Sequence, residues 1–189
     1  ALRAEGVGMA IMDAITDAHL QTIATACADL PLLTTGSGVG IGLPANFRAS
    51  GLLPDGLVAD ALPGAPGPSA VIAGSCSVAT RAQVAAMAAV HPAFRVDPLA
   101  LAQGEDVVGA ATAFAAERLA AGPVLIYATA TPEEVRAVQQ RLGVEHAGAL
   151  VENALADIAR ALVGLGVTRL IVAGGETSGA VVKALDVQG

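Results

Sequence analysis

This 189-residue chain holds only two cysteines and one lysine, and no apolar run in it approaches the ~18 residues that a membrane-spanning helix needs. Each scarcity removes a class of protein. Cys27 and Cys76 lie far apart, so the sequence carries neither a disulfide framework nor a zinc pattern, and a reducing cytoplasm is the simplest setting. The lone lysine, Lys183, falls inside the last helical stretch, which leaves no Gly-Lys-Ser/Thr ending for a P-loop. Ten basic residues are scattered among seventeen acidic ones, giving a net charge of -7, so the basic footprint of a nucleic-acid binder is missing. Nucleic acid and membrane are therefore not expected partners. His19, His91 and His146 show no ligand spacing, and no residue is assigned to a metal. The start, Ala1-Leu-Arg-Ala-Glu5, has neither an initiator methionine nor the apolar core of a signal peptide. The chain is expected to be a piece of a longer protein.

What is present is alanine, glycine and a steady alternation of short apolar runs with helical segments. Hydrophobic residues make up 54% of the chain, enough for a folded core, and the mean hydropathy of +0.64 is supplied largely by alanine. Nine arginines to one lysine, with abundant alanine and glycine, point to a GC-rich bacterial source. Strands are expected at Gly8–Ile15, Leu32–Thr35, Ala70–Gly74, Phe94–Val96, Val124–Ala128 and Leu170–Ala173. Helices are expected at Asp17–Asp29, Val78–Val90, Glu105–Ala121, Pro132–Leu142 and His146–Leu165, with another opening after Gly174. The alternation predicts a three-layer α/β/α domain over residues 1–189, with a mostly parallel sheet and Gly/Ser loops at the carboxyl ends of the strands. Pro54–Pro68, with four prolines and three glycines, reads as an exposed connector able to separate two subregions.

Three loops stand out. Leu170–Ala173 runs through Gly174 and Gly175 into a helix, where the first N–H groups have no intrahelical partner and the macrodipole is positive, a natural seat for phosphate. Glu176, Thr177 and Ser178 are candidate caps there, and Gly179 completes the loop. Gly74-Ser-Cys-Ser-Val-Ala-Thr-Arg-Ala-Gln83 repeats the design, with Ser75, Ser77 and Thr80 as cap candidates. Thr34-Thr-Gly-Ser-Gly-Val-Gly-Ile-Gly42 is the third. In an open parallel sheet, loops at the carboxyl ends of strands collect on one edge, so together these favour a phosphate-rich ligand.

Individual residues sharpen the reading. A carboxylate ~4 Å from a phosphate costs about 1 kcal/mol in water and about 4 at an effective dielectric near 20, so Glu176 either caps the helix or meets a ribose hydroxyl or a Mg²⁺ shell. Asp17 reads as an N-cap and Asp13 as an acid in an apolar strand that must find a partner. Cys76 reads as a small buried residue, and Arg81 as a charge stabiliser or a solvated side chain. Ser178 is not the centre of a G-x-S-x-G elbow, and the acids at a suitable distance for a dinucleotide fold, Asp55 and Asp60, lie in the connector. A hydrolase and an NAD-linked oxidoreductase are thus poorly supported, while a non-catalytic assembly domain remains the alternative of another class.

The motifs Met12-Asp-Ala-Ile-Thr-Asp17, Thr35-Gly-Ser-Gly-Val-Gly-Ile-Gly-Leu-Pro-Ala-Asn-Phe47, Gly74 to Gln83 and Gly174-Gly-Glu-Thr-Ser-Gly-Ala-Val181 occur in the order of one family. Together they resemble the C-terminal nucleotide-binding domain of the four-carbon acid sugar kinases, and the Gly-Leu-Pro-Ala-Asn-Phe run looks most like the 3-oxo-tetronate 4-kinase branch. D-threonate and D-erythronate kinases are close relatives. The resemblance implies ATP with Mg²⁺ as cofactors and transfer of phosphate to the terminal hydroxyl of a four-carbon sugar acid. It implies nucleotide contacts from Ser75, Ser77, Gly174, Gly175, Glu176, Thr177, Ser178 and Gly179, with the catalytic residue unknown. It also implies a separate N-terminal domain that binds the sugar acid and a closing Ser-Gly-Asn-Phe-Gly segment, neither found in this chain, so the piece alone is expected to be inactive. Association into a homo-oligomer is left open.

Overall fold

The computed structural model describes residues 2–9, 11–54, 56 and 64–187. The chain falls into two compact units, Ala1–Pro63 and Gly64–Gly189, and the boundary lies inside the proline-rich connector. Asp55 and Asp60 lie outside the described residues.

The first unit holds a 3₁₀ turn at Leu2–Glu5, helix α1 (Asp17–Ala26), a second 3₁₀ turn at Ser37–Ile41 and helix α2 (Leu43–Ala49). The two strands expected here do not form among its described residues. Residues 7–9, 11–14 and 32–36 carry no regular structure, and no neighbouring strand is present to satisfy their backbone groups; Ala10 lies outside the described residues. Asp13 is exposed and so has no desolvation to offset. The N-cap of α1 is Thr16, whose Oγ1 accepts from the His19 N–H at 3.4 Å, so Asp17 is the first helical residue instead. The glycine-rich run ending at Gly42 is packing material: a Cβ at Gly42 would collide with the Ala24 side chain, and Asn46 Nδ2 donates to Ala24 O at 2.8 Å, which fastens α2 to α1. The third of the expected ligand loops therefore does not follow a strand.

The second unit carries the sheet. In chain order it contains β1 (Ser69–Ala73), α3 (Val78–Ala88), β2 (Ala93–Arg95), α4 (Pro98–Ala102), α5 (Val107–Ala116), β3 (Val124–Tyr127), α6 (Pro132–Leu142), α7 (Val144–Gly164), β4 (Arg169–Ala173) and α8 (Gly175–Ala184). The strands stand in the order β2-β3-β1-β4 and every pair is parallel. All four were legible as short apolar runs. From β1 to β2 the chain steps two positions one way across the sheet, and from β2 through β3 to β4 it steps back. Right-handed crossovers then put α3 on one face and the later helices on the other.

The side chains follow that division with a period of two. Ala70 and Ile72 of β1 and Val124 and Ile126 of β3 pack with Ala111 and Ala115 of α5, Leu155, Ile158 and Leu162 of α7, and Val181 of α8. Val71, Ala73, Leu125 and Tyr127 turn the other way, onto Val84 and Met87 of α3. The result is a parallel sheet flanked by helices, with the main core under α7. Among the described residues no helix is long and apolar enough to cross a membrane.

Ile158 is fully buried in that core. Ile158→Ala is expected to lower stability by about 2–5 kcal/mol, whereas Ile171→Ala, on an edge-strand residue that is 54% exposed, should stay within about 0.5 kcal/mol; urea unfolding of both variants checks the contrast.

Candidate functional site

The loop after β1 leads to α3 on one face, while the loops after its two neighbours, β3 and β4, lead to helices on the other face. A crevice opens where adjacent loops part in this way. Here it is a cavity of about 690 Å³, lined by segments following all four strands and walled on its far side by α4, α6 and α7.

Hydrogen bonds hold the loops in register. The N–H groups of Gly74 and Ser75 donate to Ala173 O at 3.0 and 3.3 Å. Thr129 Oγ1 donates to Ser75 O at 2.9 Å, and the Ala130 N–H donates to Cys76 Sγ at 3.4 Å. Cys76 is half-buried on the cavity wall and not in the core. Two glycines permit the close approach: a Cβ at Gly74 would collide with Thr177 Oγ1, and one at Gly174, where φ is +131°, would lie 3.1 Å from Ser75 N.

Two helices begin beside these loops, and they differ. The first turn of α3 is closed by its own sequence, because Ser77 Oγ accepts from the Thr80 N–H at 3.1 Å. That of α8 has Gly174 as N-cap and no side-chain cap. Neither Glu176 nor Ser178 caps it. Thr177 is buried against the glycines, and among the described residues no acceptor meets the N–H groups of Gly175, Glu176 or Thr177. An ideal Cβ on Gly175 would meet nothing within 4 Å, so the fold itself does not require glycine there. Three unpaired N–H groups at the positive end of a ten-residue helix, facing a cavity, can receive an anion.

Of the residues singled out in the sequence, Ser75, Gly174, Gly175, Glu176 and Thr177 line the cavity together; Ser77, Ser178 and Gly179 do not. Arg81 is also outside the lining, with its Nε buried and without a hydrogen-bond partner. Sequence reasoning missed the charged side chains of the opposite wall. Arg95, at the end of β2, pairs with Glu134 at 2.7 Å, and Asp97, Arg141 and Glu152 also face the cavity. Glu134 is the third residue of α6 and closes a capping box with Thr131. The Thr131 N–H and then the Arg95 guanidinium hold its carboxyl down at about 2, and the same carboxylate raises the Arg95 pKa. The signal for this pair was the run Thr131-Pro-Glu-Glu134, which reads locally as a helix start and nothing more. Among the described residues no group of three or more His, Cys, Asp or Glu side chains could hold a metal by itself.

Residues 70–189 match the model of the nucleotide-binding C-terminal domain family. This chain belongs to that family. A Pseudomonas fluorescens protein named 3-oxo-tetronate kinase is 63% identical over 188 residues, covering 99% of this chain and 43% of that protein. A Cupriavidus necator protein of the same name is 57% identical, with 100% and 43% covered, and an Escherichia coli one 37% identical, with 100% and 48% covered. The chain thus spans less than half the length of these relatives. A Haemophilus influenzae crystal structure is similar to it with a TM-score of 0.68 and 34% identity, over 98% of this chain and 44% of that one. The family read from the glycine loops and the parallel sheet are both borne out.

Because the Glu134 carboxyl sits below its ordinary 4.5, its contribution to stability is complete above that value and is lost as pH falls towards about 2. The stability advantage of the parent over Glu134→Gln is expected to be present at neutral pH and to vanish across that window, which urea unfolding at a series of pH values measures.

Proposed function

We propose that this chain is the nucleotide-binding part of an ATP-dependent kinase that phosphorylates the terminal hydroxyl of a four-carbon sugar acid, converting 3-oxo-tetronate to its 4-phosphate. The observation that carries the reading is the uncapped first turn of α8, opening with Gly175 onto a cavity at the switch point of the sheet. The relatives named 3-oxo-tetronate kinase support the substrate class.

In this reading the N–H groups of Gly175, Glu176 and Thr177 take phosphate oxygens, and the absent Gly175 side chain leaves them uncovered. Ser75, tied to Ala173 through its N–H, presents the loop after β1 on the same side of the cavity. The hydrogen bonds between loops hold these donors in place before the nucleotide arrives, which is what phosphoryl transfer asks of a protein.

The cavity wall carries the guanidinium groups of Arg95 and Arg141 against the carboxylates of Asp97, Glu134, Glu152 and Glu176. A triphosphate adds further negative charge to an already acidic surface, so a cation must accompany it. Mg²⁺ fits, since it is commonly held by one or two carboxylates plus phosphate oxygens and needs no cage of protein ligands. Glu176, beside the phosphate seat, is the residue placed to help hold it. Mg²⁺ would supply charge neutralisation on the transferring group. The sugar acid is bound by a part of the protein beyond this chain, and the reaction runs in the cytoplasm.

Calorimetric titration of the intact protein with ATP and Mg²⁺ tests the reading. Gly175→Val should weaken ATP binding by about tenfold or more through crowding of the phosphate seat, with the circular dichroism of the fold unchanged. An unchanged affinity in the folded variant would remove α8 from the site. Phosphorylation assays with 3-oxo-tetronate, D-threonate and D-erythronate then decide the acceptor.

A further inference from the structure

The two ends of the cavity differ in chemistry. One end is the loop edge of the sheet, with its N–H groups and hydroxyls. The other lies between α4, α6 and α7, which pack on one another, and its wall is Leu99, Val135, Val138, Ala147 and Val151. A ligand filling both ends must join an anionic group to an apolar one.

Gly148 lies in that apolar wall, at the fifth position of the 21-residue helix α7. Glycine inside a helix is destabilising relative to alanine, so its presence needs a reason. Backbone conformation is not the reason, because Gly148 is helical and has no positive φ. Packing is not the reason either. A Cβ at Gly42 or Gly74 would collide with a neighbouring side chain, and one at Gly109 with the capping carboxylate of Asp106, whereas one at Gly148 meets nothing within 4 Å. The space that a side chain at Gly148 would take is space in the cavity.

We propose that the apolar end of the cavity, between α4, α6 and α7, receives the purine base of the nucleotide, and that Gly148 is bare so that the flat ring can lie against the helix backbone. This rests on the nucleotide reading above and adds where the base goes and which residue admits it. A purine suits the place in shape and polarity: it is planar, its faces are apolar, and it is joined covalently to the phosphates held at the other end. No aromatic side chain lines the cavity, so the ring is held between aliphatic walls instead of being stacked. Gly148 is thus a specificity-determining position for the base and has no part in holding the phosphates.

The test compares ATP with inorganic tripolyphosphate, which has the phosphates and no base. Affinities for both, with Mg²⁺, are measured in the intact protein for the parent, Gly148→Leu and Gly175→Val, together with the Tm of each. Gly148→Leu is expected to bind tripolyphosphate as the parent does but ATP about tenfold more weakly or worse, with a Tm unchanged or raised. Gly175→Val is expected to weaken both ligands. Should Gly148→Leu fail to fold, Gly148→Ala carries the same expectation in milder form, a raised Tm with weakened ATP. Parent-like ATP affinity in folded Gly148 variants, while Gly175→Val still weakens ATP, would overturn the base site and leave the nucleotide reading standing. A parent that binds neither ATP nor tripolyphosphate would overturn both.

Discussion

The arrangement of the second unit turns on one close approach, that of the loop after β1 to the first turn of α8. Thr177 is buried against Gly74 with no room for a side chain between them, and Gly174 passes so near the Ser75 backbone that a Cβ there would also be crowded. The parallel pairing of β1 with β4 brings the two loops side by side, and the N–H groups of Gly74 and Ser75 fasten them by donating to Ala173 O. Because Thr177 is turned inward to fill this contact, it does not cap its own helix. The packing demand and the open N-terminus are two sides of one choice of residues, and the anion seat follows from it.

Charge has to be handled locally in so acidic a chain. Its net charge of -7 would repel a nucleotide at a distance, and the cavity wall has more carboxylates than guanidinium groups. What attracts phosphate is therefore short-range: fixed N–H dipoles at the end of a helix, which act over about its first turn. The Arg95–Glu134 pair limits the effect of one arginine by tying it to a carboxylate that itself caps α6. Its partners hold Glu134 ionised well below its ordinary range, so the pair persists wherever the protein is folded near neutral pH.

Much of the second unit was legible in the sequence because its signals are local. The four strands are short apolar runs, α6 opens on Thr131-Pro-Glu-Glu134, and Gly174-Gly175 breaks the chain where β4 meets α8. The first unit was less legible. Met9 to Ile15 and Leu32 to Thr35 are patterned like strands, but a strand exists only with a neighbour, and none stands beside their described residues. The run of glycines at Gly36–Gly42 looked like a ligand loop because sequence does not distinguish glycine kept for a ligand from glycine kept for packing. Gly42 against Ala24 is the second kind; Gly175, with nothing near it, is the first. The far wall of the cavity was invisible for another reason. Arg95, Glu134, Arg141 and Gly148 come from separate elements that meet only when α4, α6 and α7 pack together, and no spacing along the chain records that.

The central claim is that the first turn of α8 holds the phosphates, and backbone amide shifts during an ADP titration with Mg²⁺ test it most directly. The account predicts that the N–H signals of Gly175, Glu176 and Thr177 move most, followed by Ser75. Stationary signals at these positions, with movement instead at the capped first turn of α3, would contradict it.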